Sequence, residues 1–479
     1  MSKMKIFSIL FCIAISAVII TACGKETSDN TESKTSQANV EAKSEFSVPK
    51  GVCEGEEVNI YLAMPAYKSS YIAEGESGDQ LNDAVLQRNN IVEEHTGAKV
   101  NFTLTTTGGR GSDQAAEATK IRTLIQAGDD TYDAFIHAQR SDLFAAFLED
   151  MFVNWYDIPY INLENPWWYT NVIRDSAYGG KLYAMTGDYN LTSFSMTDCL
   201  LFNKTMCDEL GLDYPYQLVF DGEWTHDKFV EYIKSATNDI NGDGMIDYKS
   251  DRYGFAGYVY EQVPSLFVGY GGDWVVKDDT NLPILDIQSE QSYSVIDAML
   301  DVFSLDGAKY VKMEEGSNTA NLMFNEGRLL FKDAYLSNIP ATRSLENIDI
   351  GFIPYPKLNK NQADYYSRTA NLSGLTYIPV TNTKLEATGA VLETMAYFSR
   401  ETVLDTYFDI ILTIKSTRDI ESEQMIPIIR SSSKFEDIIT EFDLSLIVDR
   451  SENMLGSYVA SMGDILEARV DDYSEFYNE

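Results

Sequence analysis

Apolar residues alternate at Val58, Ile60 and Leu62, then take a helical spacing at Leu81, Val85 and Val92 before Gly97. Alternation returns at Val100, Phe102 and Leu104. A second helical run carries Ile121, Leu124 and Ile125 to Gly128, and Asp133-Ala-Phe-Ile136 is a short apolar strand. A period of two buries one face of a strand and a period of 3.6 buries one stripe of a helix, so the order predicted is strand–helix–strand–helix–strand. That order makes an α/β sheet with helices on its faces, and ligands of such sheets sit beyond the carboxyl ends of the strands. His137, Gln139 and Arg140 directly follow the third strand and are expected at a cleft edge.

Farther along, DGEWTHDKF marks a helix start, with Thr225 at the N-cap, Asp227 in the first turn and Trp224 stapled to Phe229. Residues 291–304 and 385–399 carry helical periodicity, and the chain from 401 onward reads as mixed helix and loop.

The amino terminus changes the picture. Lys3 and Lys5 precede an almost wholly apolar run from Ile6 to Ile20, and Ile20-Thr-Ala-Cys23 places small residues before a cysteine. This is a secretion signal (residues 1–22) similar to the lipobox of bacterial lipoproteins, with Cys23 as the acylated, palmitate-bearing residue. Two or three acyl chains suffice for stable membrane anchoring. Residues 24–50 are rich in Ser, Thr, Lys, Glu and Asn, so 23–54 is expected to be a flexible tether and the folded body to begin at 55. The body is too long for one simple core, and two domains are expected. A net charge of −37 excludes a nucleic-acid partner, which needs a basic face. Cys53, Cys199 and Cys207 are an odd set that builds no disulfide framework; free, packed thiols are expected, although Cys199 and Cys207 could pair.

Several short stretches then point one way: Leu201-Phe-Asn-Lys204, Glu209-Leu-Gly211, Asp221-Gly-Glu-Trp-Thr225, the Asp/Gly loop from Asp239 to Asp247, Tyr253-Gly-Phe255, Met323-Phe-Asn-Glu-Gly-Arg328 and Gly351-Phe-Ile-Pro-Tyr-Pro-Lys357. In this order and spacing the chain resembles the extracellular solute-binding lipoproteins of ABC importers, sugar type. The resemblance implies an α/β, two-lobe periplasmic-binding-protein-like fold (type II), with a ligand cleft between the lobes and hinge crossovers. Lobe 1 would comprise 55–195 plus 365–410, and lobe 2 would comprise 196–364 plus 411–479. It further implies capture of a mono- or oligosaccharide and its delivery to ABC permease subunits by a monomer anchored at the outer face of the cytoplasmic membrane. Matched by local motif, the ligand residues would be His137, Gln139 and Arg140; the segment from Phe194 to Asp198; Tyr258, Tyr260 and Glu261; Tyr270 and Trp274; and Asp333 and Tyr335. Aromatic faces suit the C–H faces of a pyranose, and amides, carboxylates and Arg suit its hydroxyls. Plainer readings stand beside these: one of Tyr258 and Tyr260 in the core, Trp274 over a sheet edge, and Trp167 and Trp168 as a loop anchor.

No H-E-x-x-H, G-x-S-x-G or C-x-x-C is present, and the histidines are only His95, His137 and His226, so no enzyme is expected. The competing classes are a secreted glycan-acting hydrolase and a surface sensor or adhesin. The loop DINGDGMIDYKSD puts Asp239, Asn241, Asp243, Gly244 and Asp247 at positions 1, 3, 5, 6 and 9 of a calcium loop, but Ser250 stands where the bidentate Glu belongs. A structural Ca2+ is expected from Asp239, Asn241, Asp243, the Met245 carbonyl and Asp247, with Asp251 supplying the last oxygen; the alternative is an unoccupied turn.

Overall fold

The computed structural model describes residues 46–108, 111–138, 143–345, 347–412, 420–435 and 454–478. The chain divides into Met1–Lys43, outside the described residues, and Ser44–Glu479. The signal and Cys23 therefore lie outside them too. Among the described residues no helix is long and apolar enough to cross a membrane.

Among the described residues there are thirteen strands: β1 (Glu57–Leu62), β2 (Lys99–Leu104), β3 (Ala134–Ala138), β4 (Asp198–Asn203), β5 (Tyr253–Tyr258), β6 (Val275–Lys277), β7 (Pro283–Leu285), β8 (Ala308–Val311), β9 (Leu329–Tyr335), β10 (Ile350–Ile353), β11 (Ser367–Thr369), β12 (Gly374–Tyr377) and β13 (Ser433–Phe435). The first sheet has the order β12-β3-β1-β2, and the second has the order β10-β4-β9-β5-β8. The expected strand and helix order is found: Gln80–Thr96 links β1 to β2, and Gly111–Gln126 links β2 to β3. Gly97 ends the first of these helices at φ 78°, a left-handed turn that costs glycine nothing.

In the second sheet β5 runs parallel to β8 and β9, whereas β4 is antiparallel to β9 and β10. Asp198, which begins β4, therefore lies at the same edge as Tyr258 and Tyr335, which end β5 and β9; Asp198 and Tyr335 are register partners. Behind this sheet, the helix His226–Ala236 presses so closely on β5 that a Cβ on Gly254 would fall 2.3 Å from Ile233 Cα. Trp224 staples that helix as expected, its ring 5.8 Å from Phe229 and its indole N–H donated to the Pro354 carbonyl. Thr225 holds the N-cap position, but its side chain makes no capping bond.

The chain passes from the first sheet to the second through residues 187–197 and returns through 354–373. The two passages touch: Thr197 bridges Thr369, and Ala370 N–H donates to the Met196 carbonyl at 3.0 Å. Two ordered passages side by side are the hinge of a two-lobe protein.

The packed body begins earlier than residue 55. Phe46 stacks on Tyr397 at 4.3 Å, and Val48 and Cys53 are buried, so the last part of the expected tether belongs to the core. Cys53, Cys199 and Cys207 are free and buried, as expected. Trp167 and Trp168 anchor a loop: with Asn165 they donate to the buried Glu393 carboxylate at 3.1, 2.7 and 2.9 Å.

Candidate functional site

The carboxyl edge of the second sheet gathers the polar residues that a cleft needs. Tyr258 closes β5, and the helix Val259–Gly269 starts directly after it, which sets Tyr260 and Glu261 in the first turn at the sheet edge. The Tyr258 and Tyr260 rings lie 5.5 Å apart, edge to face, with Tyr260 48% exposed and Tyr258 half-buried. The Glu261 side chain is 34% exposed and accepts a hydrogen bond from the Tyr335 hydroxyl.

Beneath these side chains Asp198 and Arg368 are buried and Asp333 is half-buried. Arg368, in β11, places Nη1 3.4 Å from Asp198 Oδ2 and 3.4 Å from Glu261 Oε2. Ser265 donates to Asp198, and Tyr355 donates to Asp333. Burial pushes the Asp333 carboxyl up to about 7; the Tyr355 hydrogen bond lowers it and the charge of Glu261 raises it again. Burial also lifts Asp198 well above the usual carboxylate range, against the pull of Arg368.

Of the residues expected to bind ligand, Asp198, Tyr258, Tyr260, Glu261, Asp333 and Tyr335 come together here. His137 does not join them. It lies inside β3, fully buried, with Nδ1 and Nε2 at 2.9 and 3.2 Å from the carbonyls of Ala138 and Gln114, so it serves the first sheet rather than a cleft edge. Gln139 and Arg140 lie outside the described residues. Tyr270 is fully buried with its hydroxyl 2.9 Å from His226, and Trp274 is buried against Phe267, so both are core residues. Phe194 is buried against Phe408.

Sequence reasoning missed Arg368, Gln262 and Ser265. Tyr355 stood within the quoted Gly351–Lys357 stretch without being singled out. Ser265 and Gln262 carried a readable signal, since both follow Glu261 within one helix turn; nothing local marks Arg368.

The acidic loop is stitched to its own backbone. Asp239 accepts from Gly242 and Gly244 N–H at 2.6 and 2.8 Å; Asn241, Asp243 and Asp247 each accept from the amide two residues on. Asp251, expected as the last ligand, is buried and spends its two oxygens on the Ile240 and Asp247 amides, so it staples the loop instead. The all-oxygen donor set suits calcium, and here those side chains are turned onto backbone amides. Among the described residues no three His, Cys, Asp or Glu side chains are placed to share a metal ion.

Fold and site together define a two-lobe binding protein whose solute would lie at the sheet edges. The chain matches the family described as bacterial extracellular solute-binding protein over residues 73–397, and it belongs to that family. No curated protein sequence matches it. Among solved structures, UspC of M. tuberculosis is 12% identical, with a TM-score of 0.55, covering 86% of this chain and 99% of that one. The sugar-binding protein MalE from Xanthomonas citri is 14% identical, with a TM-score of 0.54 and coverage of 88% and 97%. The galacto-N-biose-/lacto-N-biose I-binding protein of the ABC transporter from Bifidobacterium longum, in complex with lacto-N-biose, is 13% identical, with a TM-score of 0.54 and coverage of 88% and 98%. At these identities the likeness establishes the fold.

Proposed function

We propose that this chain captures a mono- or oligosaccharide between two closing lobes and delivers it to an ABC permease, without turning it over. The lobes are 46–195 with 365–410, and 196–364 with 411–479, and acylated Cys23 holds the protein at the outer face of the cytoplasmic membrane. The observation that carries the sugar reading is the Tyr258–Tyr260 pair beside Glu261 at the second sheet's carboxyl edge, in a solute-binding chain. An aromatic face and adjacent carboxylates are what a pyranose ring and its hydroxyls need. The names of two structural neighbours, a sugar-binding protein and a lacto-N-biose complex, support the same solute class. Within this cluster Asp198 accepts from Ser265 and pairs with Arg368, and Asp333 accepts from Tyr355, which favours holding a solute over turning it over. The test is titration with saccharides followed by chromatography of the mixture. Binding with intact sugar supports capture, and cleavage products would establish the hydrolase.

Calcium at the Asp239–Asp247 loop is a subsidiary proposal, supported by its oxygen donors. Binding would draw those side chains off their backbone partners.

A further inference from the structure

The second sheet's carboxyl edge gathers three acids against two basic groups, and Asp198 and Asp333 are held toward their protonated forms by burial and by the charge of Glu261. Asp198, Glu261 and Asp333 act on one another there, and among the described residues the cations felt by Asp333 are Lys332 and Arg368. Arg368 is divided between Asp198 and Glu261, and Lys332 donates to Asn321.

Unsatisfied groups accompany this excess. Asp198 Oδ1 and both amide atoms of Gln262 are buried without a hydrogen-bond partner, and both residues are fully buried. Gln262 points into the cluster: a Cβ built on Gly257 would lie 2.5 Å from Asp333 Cβ and 3.1 Å from the Gln262 amide carbon, so the two side chains flank one point. Buried polar atoms are nearly always paired, so such a group of orphans marks a place where a ligand or water supplies the missing bonds. At the same sheet edge the Tyr258 and Tyr260 rings lie 5.5 Å apart beside Glu261, and aromatic faces attract cations. The net charge of −37 draws cations toward the chain and repels anions.

We infer that this end of the site takes a protonated nitrogen, so that the preferred solute is an amine-bearing saccharide and not a neutral or acidic one. The inference rests on the carbohydrate reading above and deepens it. Glu261, whose side chain is 34% exposed, meets the ammonium first; buried Asp198 and half-buried Asp333 stand beside it, and Gln262 orders the neighbouring hydroxyls.

Calorimetric titration of the folded chain tests this with five probes: the free-amine disaccharide of glucosamine, its N-acetylated form, cellobiose, digalacturonate and spermidine. The free amine is expected to bind about tenfold or more tightly than its acetylated form, the gain of one charged hydrogen bond. Binding should release protons to the buffer, and Glu261→Gln should narrow the gap. Equal or weaker binding of the amine saccharide, or no heat from it, overturns the inference. Binding of neutral saccharides alone overturns the charge preference and leaves carbohydrate capture standing. Binding of spermidine with no saccharide does the reverse. The comparison of amine with acetylated sugar on the unaltered chain decides the matter even if the Glu261 variant does not fold.

Discussion

Arg368 and Asp198 lie 170 positions apart in sequence, yet their side chains meet at 3.4 Å with both residues buried. Asp198 starts the first strand after the passage into the second sheet, and Arg368 sits in the passage back, so the pair ties the hinge to the site. Breaking a buried pair by removing one member leaves an uncompensated charge. Arg368→Met should therefore cost about 3 kcal/mol in urea denaturation. Adding Asp198→Asn should recover part of that loss, and a double variant no better than the single would show that the two residues are not coupled.

Glu393 is the corresponding tie within the first lobe. Glu393→Ala leaves the indole N–H groups of Trp167 and Trp168 and the amide of Asn165 buried without their acceptor. A loss of about 3 kcal/mol or more is expected, with a changed near-ultraviolet tryptophan spectrum. Glu393→Gln, which keeps one acceptor oxygen, should cost less.

The pH dependence follows from acids held above their ordinary values. Burial lifts Asp188 to about 6, opposed by Arg430 and Arg400, and lifts Asp333 to about 7. The unfolded chain releases these protons near pH 4. Between that value and neutrality the folded state therefore binds more protons than the unfolded state, and stability falls as pH rises. The contribution is complete below about pH 4 and is lost as pH passes 6 and 7; for Asp188 it is on the order of 3 kcal/mol. Tm of the unliganded protein should fall from pH 5 to 8, and Asp188→Asn should flatten the part near pH 6. A Tm that rises across this range would contradict the assignment.

If the Asp239–Asp247 loop takes calcium, adding the ion to chelator-treated protein should raise Tm by a few degrees through mass action. Asp243→Ala should abolish that rise. An unchanged Tm, with no heat on titration, would mean that the loop is held by its backbone-directed side chains alone.

The first half of the architecture was legible because its elements are local. Alternating Val58, Ile60 and Leu62 and the helix ended by Gly97 announce themselves within a dozen residues, and both are found. His137 misled because a histidine after an apolar run reads as a strand end, whereas two backbone carbonyls let the strand continue through it. Tyr270 and Trp274 misled for a related reason: aromatic side chains beside glycines suit a binding turn and a packed core equally well. Arg368 was invisible because its three-residue strand is defined by a partner at Ser433–Phe435, and its role comes from carboxylates brought to it by the fold. Tyr258, Tyr260, Glu261, Asp333 and Tyr335 were reached only through the resemblance; their periodicity alone did not distinguish core from cleft.

The central claim is carbohydrate capture, and the most direct test is a thermal-shift screen of the mature chain against saccharides, peptides, nucleotides and inorganic anions. Ligand at many times its Kd should raise Tm by a few degrees for one or a few saccharides and leave it unmoved by nucleotides. A broad saccharide panel without a shift, beside a clear shift from peptides or anions, would contradict the account.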